Sequence, residues 1–479
     1  MTRAAAQATG AAPLLIAGEL RGGKGVWEIR SPFSGEPVGS AAVGDAEDVR
    51  AAIDAAVRAA RAARELPSHA RAAVLRRIRQ GLFERREELA RLLAREAGKP
   101  VTSARLEVDR AIFVFEVAED ESKRIGGEVL PLDLVPAGER RWGITRRFPL
   151  APISAIVPFN FPLLLAAHKI APAVACGATL VLKPPPQDPL CVLGLAEILH
   201  GCGYPPGGLN VVPCSVEDAA PLLDDPRVRM VTFTGSGRAG WAIRARAARK
   251  KVALELGGNA GVIVAADADL DHAARRCALG GYAYAGQSCI SVQRVLVHRD
   301  VCDAFTERFV GIVGALRTGD PLDETTDVGP LIDESNAIRA EAWIREAVAG
   351  GARVAVGGGR RGSMLEPTVL LDTRSDMRVN CEEVFAPVVT LRPYADLDEA
   401  LATLNDSPYG LQAGIFTNDL RAVWKAFETA EVGGLVVNDI SGFRVDHMPY
   451  GGVKESGQGR EGVRYAIEEM TELRLLVLS

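Results

Sequence analysis

The stretch RMVTFTGSGRAG at residues 229–240 carries the pattern that decides the fold class. An apolar strand is predicted at 229–233, a G-x-G-x-x-G loop follows it from Gly235, and a helix is predicted from Trp241. Backbone N–H groups at the start of such a helix favour a bound pyrophosphate. Taken alone, the motif is equally compatible with an ordinary turn between a strand and a helix.

Strand and helix patterns alternate on both sides of this loop. Before it, strands are predicted at 153–158, 179–183 and 209–212, with helices at 163–175, 187–200 and 219–223. After it, strands are predicted at 260–264, 291–298, 353–356, 383–391 and 413–416, with helices at 270–284 and 304–316. Alternating strands and helices form parallel, doubly wound sheets, with the ligand at the carboxyl ends of the strands.

A separate β element is predicted from a hairpin at 128–146 and a strand-like segment at 471–478. A hairpin of this kind leaves its edges unpaired, and pairing with another subunit covers them. We therefore expect pairing between subunits. The predicted fold is α/β, with two doubly wound parallel-sheet domains plus this small β oligomerisation element.

The domain organisation follows from length and from these patterns. A chain of 479 residues is too long for one hydrophobic core. Three helices are predicted at 46–64, 71–97 and 101–124. The predicted units are a dinucleotide-binding domain at 1–127 and 147–254, a catalytic domain at 255–460 and an oligomerisation element at 128–146 and 461–479.

The charge balance argues against nucleic-acid and membrane partners. The chain has 56 Lys and Arg against 61 Asp and Glu, so no broad basic face is expected. The longest apolar stretch, 161–182, is interrupted by His168, Lys169 and two prolines and is interpreted as buried interior. We expect a small-molecule partner, with no nucleic acid and no membrane.

The cysteines and histidines favour a reducing compartment without a metal site. The eight cysteines lie far apart, without C-x-x-C spacing, and the six histidines form no i, i+4 pair. Residues 1–18 contain a short apolar run at 11–17, which is shorter than a signal-peptide core and is interpreted as a loose tail. We therefore expect a cytoplasmic protein and no bound metal.

Cys289 and Glu255 are the candidates for covalent chemistry. Cys289 lies in GQSCIS at 286–291 and Glu255 in LELGGN at 254–259. A thiolate attacks a carbonyl carbon, and a carboxylate takes a proton from a thiol or a water. The alternatives are a buried structural thiol and a surface acid at a strand end. A ribose-binding acid is expected about 20 residues after the glycine motif, close to Glu255, so the motif departs from the usual dinucleotide-binding pattern.

Asn160 is the candidate for stabilising a negative oxygen. It lies in PFNFP at 158–162, at the end of a predicted strand. Its amide and the backbone N–H of Cys289 could together hold a developing oxyanion. The alternative is that Asn160 caps the helix that follows.

Together these motifs resemble the NAD(P)-dependent aldehyde dehydrogenase superfamily over essentially the full length of the chain. The matching stretches occur in the family's order and near its spacing. They are PFNFP at 158, KPPPQDPL at 183, FTGS at 233, ELGGN at 255, GQSC at 286, EEVFAPV at 382 and PYGGVKESGQGRE at 449.

The resemblance implies a role for each matching residue. Cys289 resembles the nucleophile, Glu255 the general base and Asn160 the oxyanion amide. The implied cofactor contacts are Pro158, Phe159, Lys183 at the adenosine ribose, Gly235 and Ser236 at the pyrophosphate, and Glu383 with Phe385 at the nicotinamide ribose. The resemblance also implies a homodimer or a homotetramer. The implied reaction passes through a thiohemiacetal and a thioester on Cys289, with hydride leaving for NAD or NADP and water releasing the acid.

One departure from the family bears on the cofactor. Members that prefer NAD usually read Lys-Pro-x-Glu, whereas Lys183 is followed by Pro184, Pro185 and Pro186. The loss of the carboxylate removes repulsion against a 2′-phosphate, so NADP is slightly favoured over NAD. Ala386, where the family often has Gly, is expected to reduce only local backbone freedom.

Three aligned positions indicate the substrate class. Arg110, His168 and Arg444 bring polarity to a tunnel that the family usually lines with apolar groups. Two guanidinium groups suit a carboxylate, phosphate, phosphonate or sulfonate on a short aldehyde. The alternative is ordinary salt bridges, Arg110 with Asp109 or Glu107 and Arg444 with Asp446.

Within the superfamily the chain is most similar to the lactaldehyde, phosphonoacetaldehyde and non-phosphorylating glyceraldehyde-3-phosphate group. The expected reaction is oxidation of a small hydroxylated or anionic aldehyde. The alternatives are a CoA-acylating semialdehyde dehydrogenase, against which the presence of Glu255 argues, and a non-catalytic binding protein, against which Cys289 argues.

Overall fold

The computed structural model describes residues 10–479. The predicted loose tail at 1–18 therefore lies partly outside the described residues. Within them the prediction is wrong, because Leu14–Ile16 forms a strand whose three residues are at most 2% exposed. The apolar run at 11–17 supplies an inner strand near one edge of a sheet.

The first large sheet has eight strands, of which the five central ones are parallel. Short antiparallel strands extend it at both edges. In spatial order the strands are Glu19–Arg21, Leu14–Ile16, Leu209–Val211, Leu180–Lys183, Ile153–Ile156, Met230–Thr234, Lys251–Glu255 and Gly457–Gln458.

The second large sheet has seven strands and is parallel except at one edge. In spatial order the strands are Arg353–Val356, Thr368–Leu371, Val388–Tyr394, Val292–His298, Ala260–Val264, Gln412–Phe416 and Gly434–Val437. The predicted α/β architecture with two parallel sheets is confirmed. In this second sheet the loops of Cys289 and of Glu383 precede the strands Val292–His298 and Val388–Tyr394, so they lie at the amino ends of those strands.

The predicted hairpin and carboxyl-terminal strand form a third, antiparallel sheet. Its strands are Thr471–Leu478, Trp142–Pro149 and Val129–Pro131. Three further two-stranded sheets pair Gly25–Arg30 with Pro37–Val43, Arg360–Arg361 with Met364–Leu365, and Tyr409–Gly410 with Val453–Lys454. The predicted domain boundaries stay a prediction, and Gly457–Gln458 crosses them by joining the first sheet.

Helices cover the faces of the sheets. The α-helices are Ala46–Glu65, Ser68–Glu84, Arg86–Ala97, Val101–Glu121, Pro162–Cys176, Leu190–His200, Ala220–Asp224, Gly237–Arg246, Leu270–Tyr282, Cys302–Gly314, Glu334–Ala349, Arg378–Cys381, Leu397–Asn405, Leu420–Thr429 and Val463–Glu469. Short 3₁₀ turns occur at Pro136–Gly138, Ala283–Gly286 and Arg299–Val301.

The apolar stretch at 161–182 forms protein interior, as predicted. All residues of its helix, Pro162–Cys176, are buried, including His168 and Lys169. Because the helix is enclosed on all sides, its sequence is apolar around the whole circumference. Among residues 10–479, no helix combines the length and the apolar character that crossing a bilayer requires.

Three predicted elements differ from the structure. The helix predicted at 71–97 is two helices, because the backbone leaves the helical region at Arg85, whose guanidinium binds the carbonyl of Gly194 on another helix. The strand predicted at 383–391 begins only at Val388, because Phe385 adopts φ 51°. The helix predicted from Trp241 begins at Gly237.

Candidate active site

A left-handed turn precedes the predicted nucleophile. Tyr284, Ala285 and Gly286 adopt φ of 48°, 52° and 69° in succession. A Cβ at Gly286 would lie 2.2 Å from the carbonyl oxygen of Ala386, so the turn requires glycine there. Two non-glycine residues in this region cost strain that surrounding contacts must offset. The turn separates Cys289 from the end of the helix Leu270–Tyr282.

Gln287 supplies several of these contacts. Its side chain is 1% exposed. Oε1 accepts from the backbone N–H of Ile332 at 2.9 Å, and Nε2 donates to the carbonyls of Tyr284 at 3.3 Å and Pro330 at 3.4 Å. The nucleophile loop is therefore attached to the segment 330–332 rather than held by its own backbone alone.

Cys289 lies in a crowded but partly accessible position. Its Sγ is 2.9 Å from the phenolic oxygen of Tyr450. Burial raises the pKa of the thiol to about 12, the hydrogen bond with Tyr450 opposes the rise, and the carboxylate of Glu383 adds to it. The free thiol is therefore almost entirely protonated near neutral pH.

Glu255 is the last residue of the strand Lys251–Glu255 and is 5% exposed. Within residues 10–479 its Oε2 makes no hydrogen bond. Burial raises the pKa of Glu255 well above its usual range, the charge of Glu461 adds to the rise, and the charge of Lys169 opposes it. Because a raised pKa marks a more basic carboxylate, the ionised form of Glu255 accepts a proton more readily than that of an ordinary glutamate.

One segment brings the thiol and this carboxyl group together. Tyr450 contacts the sulfur of Cys289. At the next residue, Gly451, a Cβ would lie 2.8 Å from Oε1 of Glu255. The segment Tyr450–Gly451 therefore contacts both predicted catalytic groups.

Asn160 lies beside the nucleophile loop and is 5% exposed. Its Nδ2 donates to the carbonyl of Gln287 at 3.1 Å, which leaves the second amide hydrogen for another acceptor. The capping alternative is wrong, because the N-cap of the following helix is Phe161 and that helix start receives no side-chain cap from it. Instead, Glu107 accepts from the backbone N–H groups of Leu163 and Leu164.

The residues predicted for the adenosine and pyrophosphate lie at the carboxyl edge of the first sheet. Lys183 ends the strand Leu180–Lys183, is 6% exposed and donates only a long bond, 3.4 Å, to the carbonyl of Pro184. Burial lowers the pKa of Lys183. Ser236 is the N-cap of the helix Gly237–Arg246, and a Cβ at Gly237 would meet no atom within 4 Å. This helix start is open to an anion.

The residues predicted for the nicotinamide end also come together. Oε1 of Glu383 accepts from the backbone N–H of Gly258 at 2.9 Å. Burial raises the pKa of Glu383 to about 7. The rings of Phe159 and Phe385 meet edge to face at 5.9 Å, so the PFNFP loop, which also contains Pro158, packs on the EEVFAPV loop.

The three residues predicted for the substrate converge on Asp446. Arg110 binds it with two hydrogen bonds of 2.7 and 2.9 Å, and Nε2 of His168 lies 3.0 Å from Oδ1. Arg444 lies 3.7 Å from the same carboxylate and 3.0 Å from Glu461. Arg110 thus forms a salt bridge, but not with either predicted partner.

Those predicted partners are engaged elsewhere. Asp109 pairs with Arg86 at 2.6 Å, and Glu107 forms a fully buried pair with Lys99. The predicted pair of Arg444 with Asp446 is present at the longer distance given above, and Glu461 is the nearer partner.

The cluster carries more positive than negative charge. Burial would raise the pKa of Asp446, but the hydrogen bonds from His168 and Arg110 hold it well below its usual range. Burial and the charge of Arg444 lower the pKa of His168, so this ring is neutral near pH 7. The charges of Lys169 and Glu461, which form a salt bridge at 2.6 Å, cancel. What remains is two guanidinium groups against one carboxylate.

Comparison with known proteins places the chain in a family. The sequence model described as the aldehyde dehydrogenase family matches residues 21–476. The chain belongs to the aldehyde dehydrogenase family. It is 44% identical to the 3-sulfolactaldehyde dehydrogenase of Priestia megaterium over 453 residues, which cover 94% of each protein.

Solved structures of other aldehyde dehydrogenases share the fold. Aldehyde dehydrogenase 21 of Physcomitrella patens, in complex with the reaction product succinate, has a TM-score of 0.96 and 44% identity, with 97% of this chain and 98% of that chain covered. The glyceraldehyde-3-phosphate dehydrogenase GapN of Methanocaldococcus jannaschii, complexed with NADP, has a TM-score of 0.91 and 39% identity, with coverages of 94% and 98%. The predicted family, enzyme class and fold are confirmed.

Sequence reasoning does not identify every residue of the candidate site. It misses Tyr450, which contacts the sulfur, and the pair Lys169 and Glu461, which lies beside Glu255. The available signal is the aromatic residue directly before two glycines in the matching stretch at 449–461. That stretch supplies both Tyr450 and Glu461.

The raised pKa of Cys289 predicts a pH profile for alkylation. Below the pKa the thiolate fraction rises tenfold per pH unit, so the rate of reaction with iodoacetamide, without cofactor or aldehyde, should still be rising at pH 9. The measurement is the modified fraction of Cys289 by peptide mass spectrometry against time, with Cys289→Ser as the blank. A plateau between pH 7 and 8 would contradict the expectation.

Proposed function

We propose that this dehydrogenase oxidises a small aldehyde with an anionic or hydroxylated end to the carboxylic acid, with NADP or NAD as the oxidant and Cys289 as the nucleophile. The observation that carries the substrate class is the convergence of Arg110, His168 and Arg444 on one carboxylate, Asp446. This cluster is connected to the sulfur of Cys289 through Tyr450, because Arg444 packs 3.7 Å from the centroid of the Tyr450 ring.

The guanidinium groups keep donors for a further anion. Arg110 uses Nε and Nη2 for Asp446, and Arg444 uses Nη2 for Glu461, so within residues 10–479 neither Nη1 group donates a hydrogen bond. Charged N–H donors of this kind suit carboxylate, sulfonate and phosphate oxygens. The related enzymes described above are named for 3-sulfolactaldehyde and glyceraldehyde 3-phosphate or hold succinate, each a small molecule with an anionic group.

The residues present fit a nicotinamide dinucleotide. Lys183 is buried and makes a single long hydrogen bond. The helix start at Ser236 is open, and Glu383 binds the backbone of Gly258. We propose that Lys183, Gly235, Ser236, Pro158, Phe159, Glu383 and Phe385 hold the cofactor. When bound, the nicotinamide supplies the oxidising equivalent by accepting a hydride.

The chain's own groups carry the remaining steps. The thiol of Cys289 loses its proton to the solvent and the thiolate adds to the aldehyde carbon. The free amide hydrogen of Asn160 with the backbone N–H of Cys289 holds the oxygen that becomes negative. After oxidation the acyl group is a thioester on the sulfur. Glu255, with Oε2 free of partners, then takes a proton from the water that releases the acid. Because Glu255 is available to activate water, hydrolysis of the thioester is favoured over transfer of the acyl group to CoA.

Removal of the base should stop turnover after acylation. Glu255→Gln should lower kcat about 10²- to 10⁴-fold and leave acylated Cys289 detectable by mass spectrometry of the quenched enzyme. Glu469→Gln, which removes a carboxyl group paired with Lys251 on the same cavity, is the control and should stay near wild type. Cys289→Ser should abolish both the acyl adduct and turnover. Full turnover in Cys289→Ser would sink the proposal.

The arrangement of Arg110, His168 and Arg444 around Asp446 predicts the order of substrates. Glyceraldehyde 3-phosphate, succinic semialdehyde and lactaldehyde should show higher kcat/KM than hexanal and benzaldehyde. Arg110→Gln should lower kcat/KM for the charged aldehydes about 10- to 100-fold and leave hexanal nearly unchanged, since one charged hydrogen-bond pair is lost. Arg105→Gln, on the same helix but paired with Glu87 and Glu324, is the matched control. A preference for hexanal and benzaldehyde would overturn the assignment.

The surroundings of Pro186 support acceptance of NADP. A surface depression of about 580 Å³ is lined by Trp27, Arg30, Pro186 and Ser215. Glu28 also lines it, but this carboxylate pairs with Arg30. No acid follows Lys183 at the usual family position, so a 2′-phosphate meets less repulsion there.

Restoring the acid should therefore change cofactor preference. Pro186→Glu should shift the ratio of kcat/KM for NADP to that for NAD by about tenfold towards NAD, because a carboxylate repels the 2′-phosphate and accepts from ribose hydroxyls. Initial rates with each cofactor at fixed aldehyde measure the ratio. Pro186→Gln, which adds a side chain of similar size without charge, separates charge from shape. An unchanged ratio in the Glu variant would refute the interpretation.

We also propose that the enzyme is a homodimer or homotetramer in the cytoplasm. The carboxyl-terminal strand exposes a row of apolar side chains, which are Leu473, Leu475, Leu476, Val477 and Leu478, each at least 47% exposed. An apolar surface of this extent marks an interface. Light scattering should give a mass that is a multiple of the chain mass.

The eight cysteines are free thiols, as a reducing compartment requires.

A further inference from the structure

Tyr450 occupies a position that the reaction steps above do not use. Its side chain is 3% exposed and packs with Ile290 and Leu411 around Cys289. The phenolic oxygen lies 2.9 Å from Sγ. Within residues 10–479 no other hydrogen bond reaches that sulfur. A buried hydroxyl group directed at the nucleophile calls for a chemical role.

We propose that Tyr450 is a further catalytic residue, which donates its phenolic hydrogen to the Cys289 thiolate and stabilises the nucleophilic form. The inference rests on the proposed role of Cys289. The hydroxyl group of Tyr450 is then the donor of the hydrogen bond that the attacking sulfur accepts.

The direction of the hydrogen bond follows from the ionisation of the two groups. A thiolate has no hydrogen and can only accept. Burial raises the pKa of Tyr450 well above its usual range, so the phenol keeps its hydrogen near neutral pH. When the thiol loses its proton, the O–H of Tyr450 is therefore the donor, and a hydrogen bond to a charged acceptor is stronger than one to a neutral acceptor.

The other charged groups near the sulfur act in opposite directions. Glu383 and Glu255 disfavour the thiolate, and Arg444 favours it. Arg444 also lies over the face of the Tyr450 ring, 3.7 Å from the centroid, and its charge favours release of the phenolic hydrogen towards an acceptor. The Asn160 amide contacts the carbonyl of Gln287 rather than the sulfur.

Through Arg444 the hydroxyl group is connected to the substrate cluster. The same guanidinium contacts the Tyr450 ring, Glu461 and His168. A substrate anion that binds Arg444 therefore contacts a side chain that packs on Tyr450, and Tyr450 in turn contacts the sulfur of Cys289. Tyr450 connects recognition of the anionic end with the reactivity of the sulfur.

The test is the pH profile of Cys289 alkylation in Tyr450→Phe. The variant keeps the ring and loses the donor, so the apparent pKa of the thiol should rise by about one unit and alkylation by iodoacetamide at a fixed pH below it should slow about tenfold. The full-length enzyme without cofactor or aldehyde is used, and peptide mass spectrometry resolves Cys289 from the other cysteines. With substrate, kcat should fall more than KM rises.

Tyr282→Phe is the matched control. Its hydroxyl group is also buried and donates to a backbone carbonyl, that of Thr368, at 2.9 Å, away from the sulfur. Its alkylation profile should coincide with wild type. If Tyr450→Phe lowers the melting temperature strongly, Tyr450→Met, also without a donor, provides the same readout.

The outcomes separate this inference from the proposed function. An unchanged alkylation profile in a folded Tyr450→Phe enzyme overturns the role of Tyr450 and leaves Cys289 as nucleophile. Full turnover in Cys289→Ser would instead overturn the proposed function. A shifted profile in Tyr450→Phe with an unshifted one in Tyr282→Phe supports the inference.

Discussion

The fully buried ion pair of Lys99 and Glu107 is the interaction on which the geometry of the site depends. Lys99 also donates to the carbonyl of Asn160 at 2.8 Å and lies 4.3 Å from the centroid of the Tyr284 ring, in the turn before the nucleophile. Glu107 holds the first backbone N–H groups of the helix Pro162–Cys176. Removing one partner of such a pair leaves a buried charge and costs about 3–5 kcal/mol. This contact therefore fixes Asn160 and the loop before Cys289 together.

The parts of the site that the sequence predicts are those with strong local requirements. Gly286 is needed because a Cβ would meet the carbonyl of Ala386, and Gly258 because a Cβ would lie 2.2 Å from the carbonyl of Cys289. Such glycines stand next to Cys289 and Glu255 in the chain, so short motifs reveal them. The parallel sheets are predicted for a similar reason, because strands buried on both faces are continuous apolar runs.

The remaining parts depend on contacts between distant positions. Tyr450 meets Cys289 across a separation of 161 residues, and Arg110 meets Asp446 across 336, so neither pairing has a local signal. The apolar residues at 384–385 resemble a strand, yet Phe385 is left-handed in order to pack against Phe159. In each case tertiary packing decides what local preference leaves open.

The short strand Gly457–Gln458 pairs with Leu254 and Glu255, and Gly451 lies against the carboxyl group of the same Glu255. Both ends of the segment 451–457 thus lie next to Glu255, which fixes the distance that the segment must cover. Inserting or deleting a single residue there would displace either the ring next to the sulfur or the edge of the sheet. The length of this segment is therefore constrained, whereas the exposed turn at Gly362, where a Cβ would meet no atom within 4 Å, has room for an inserted residue.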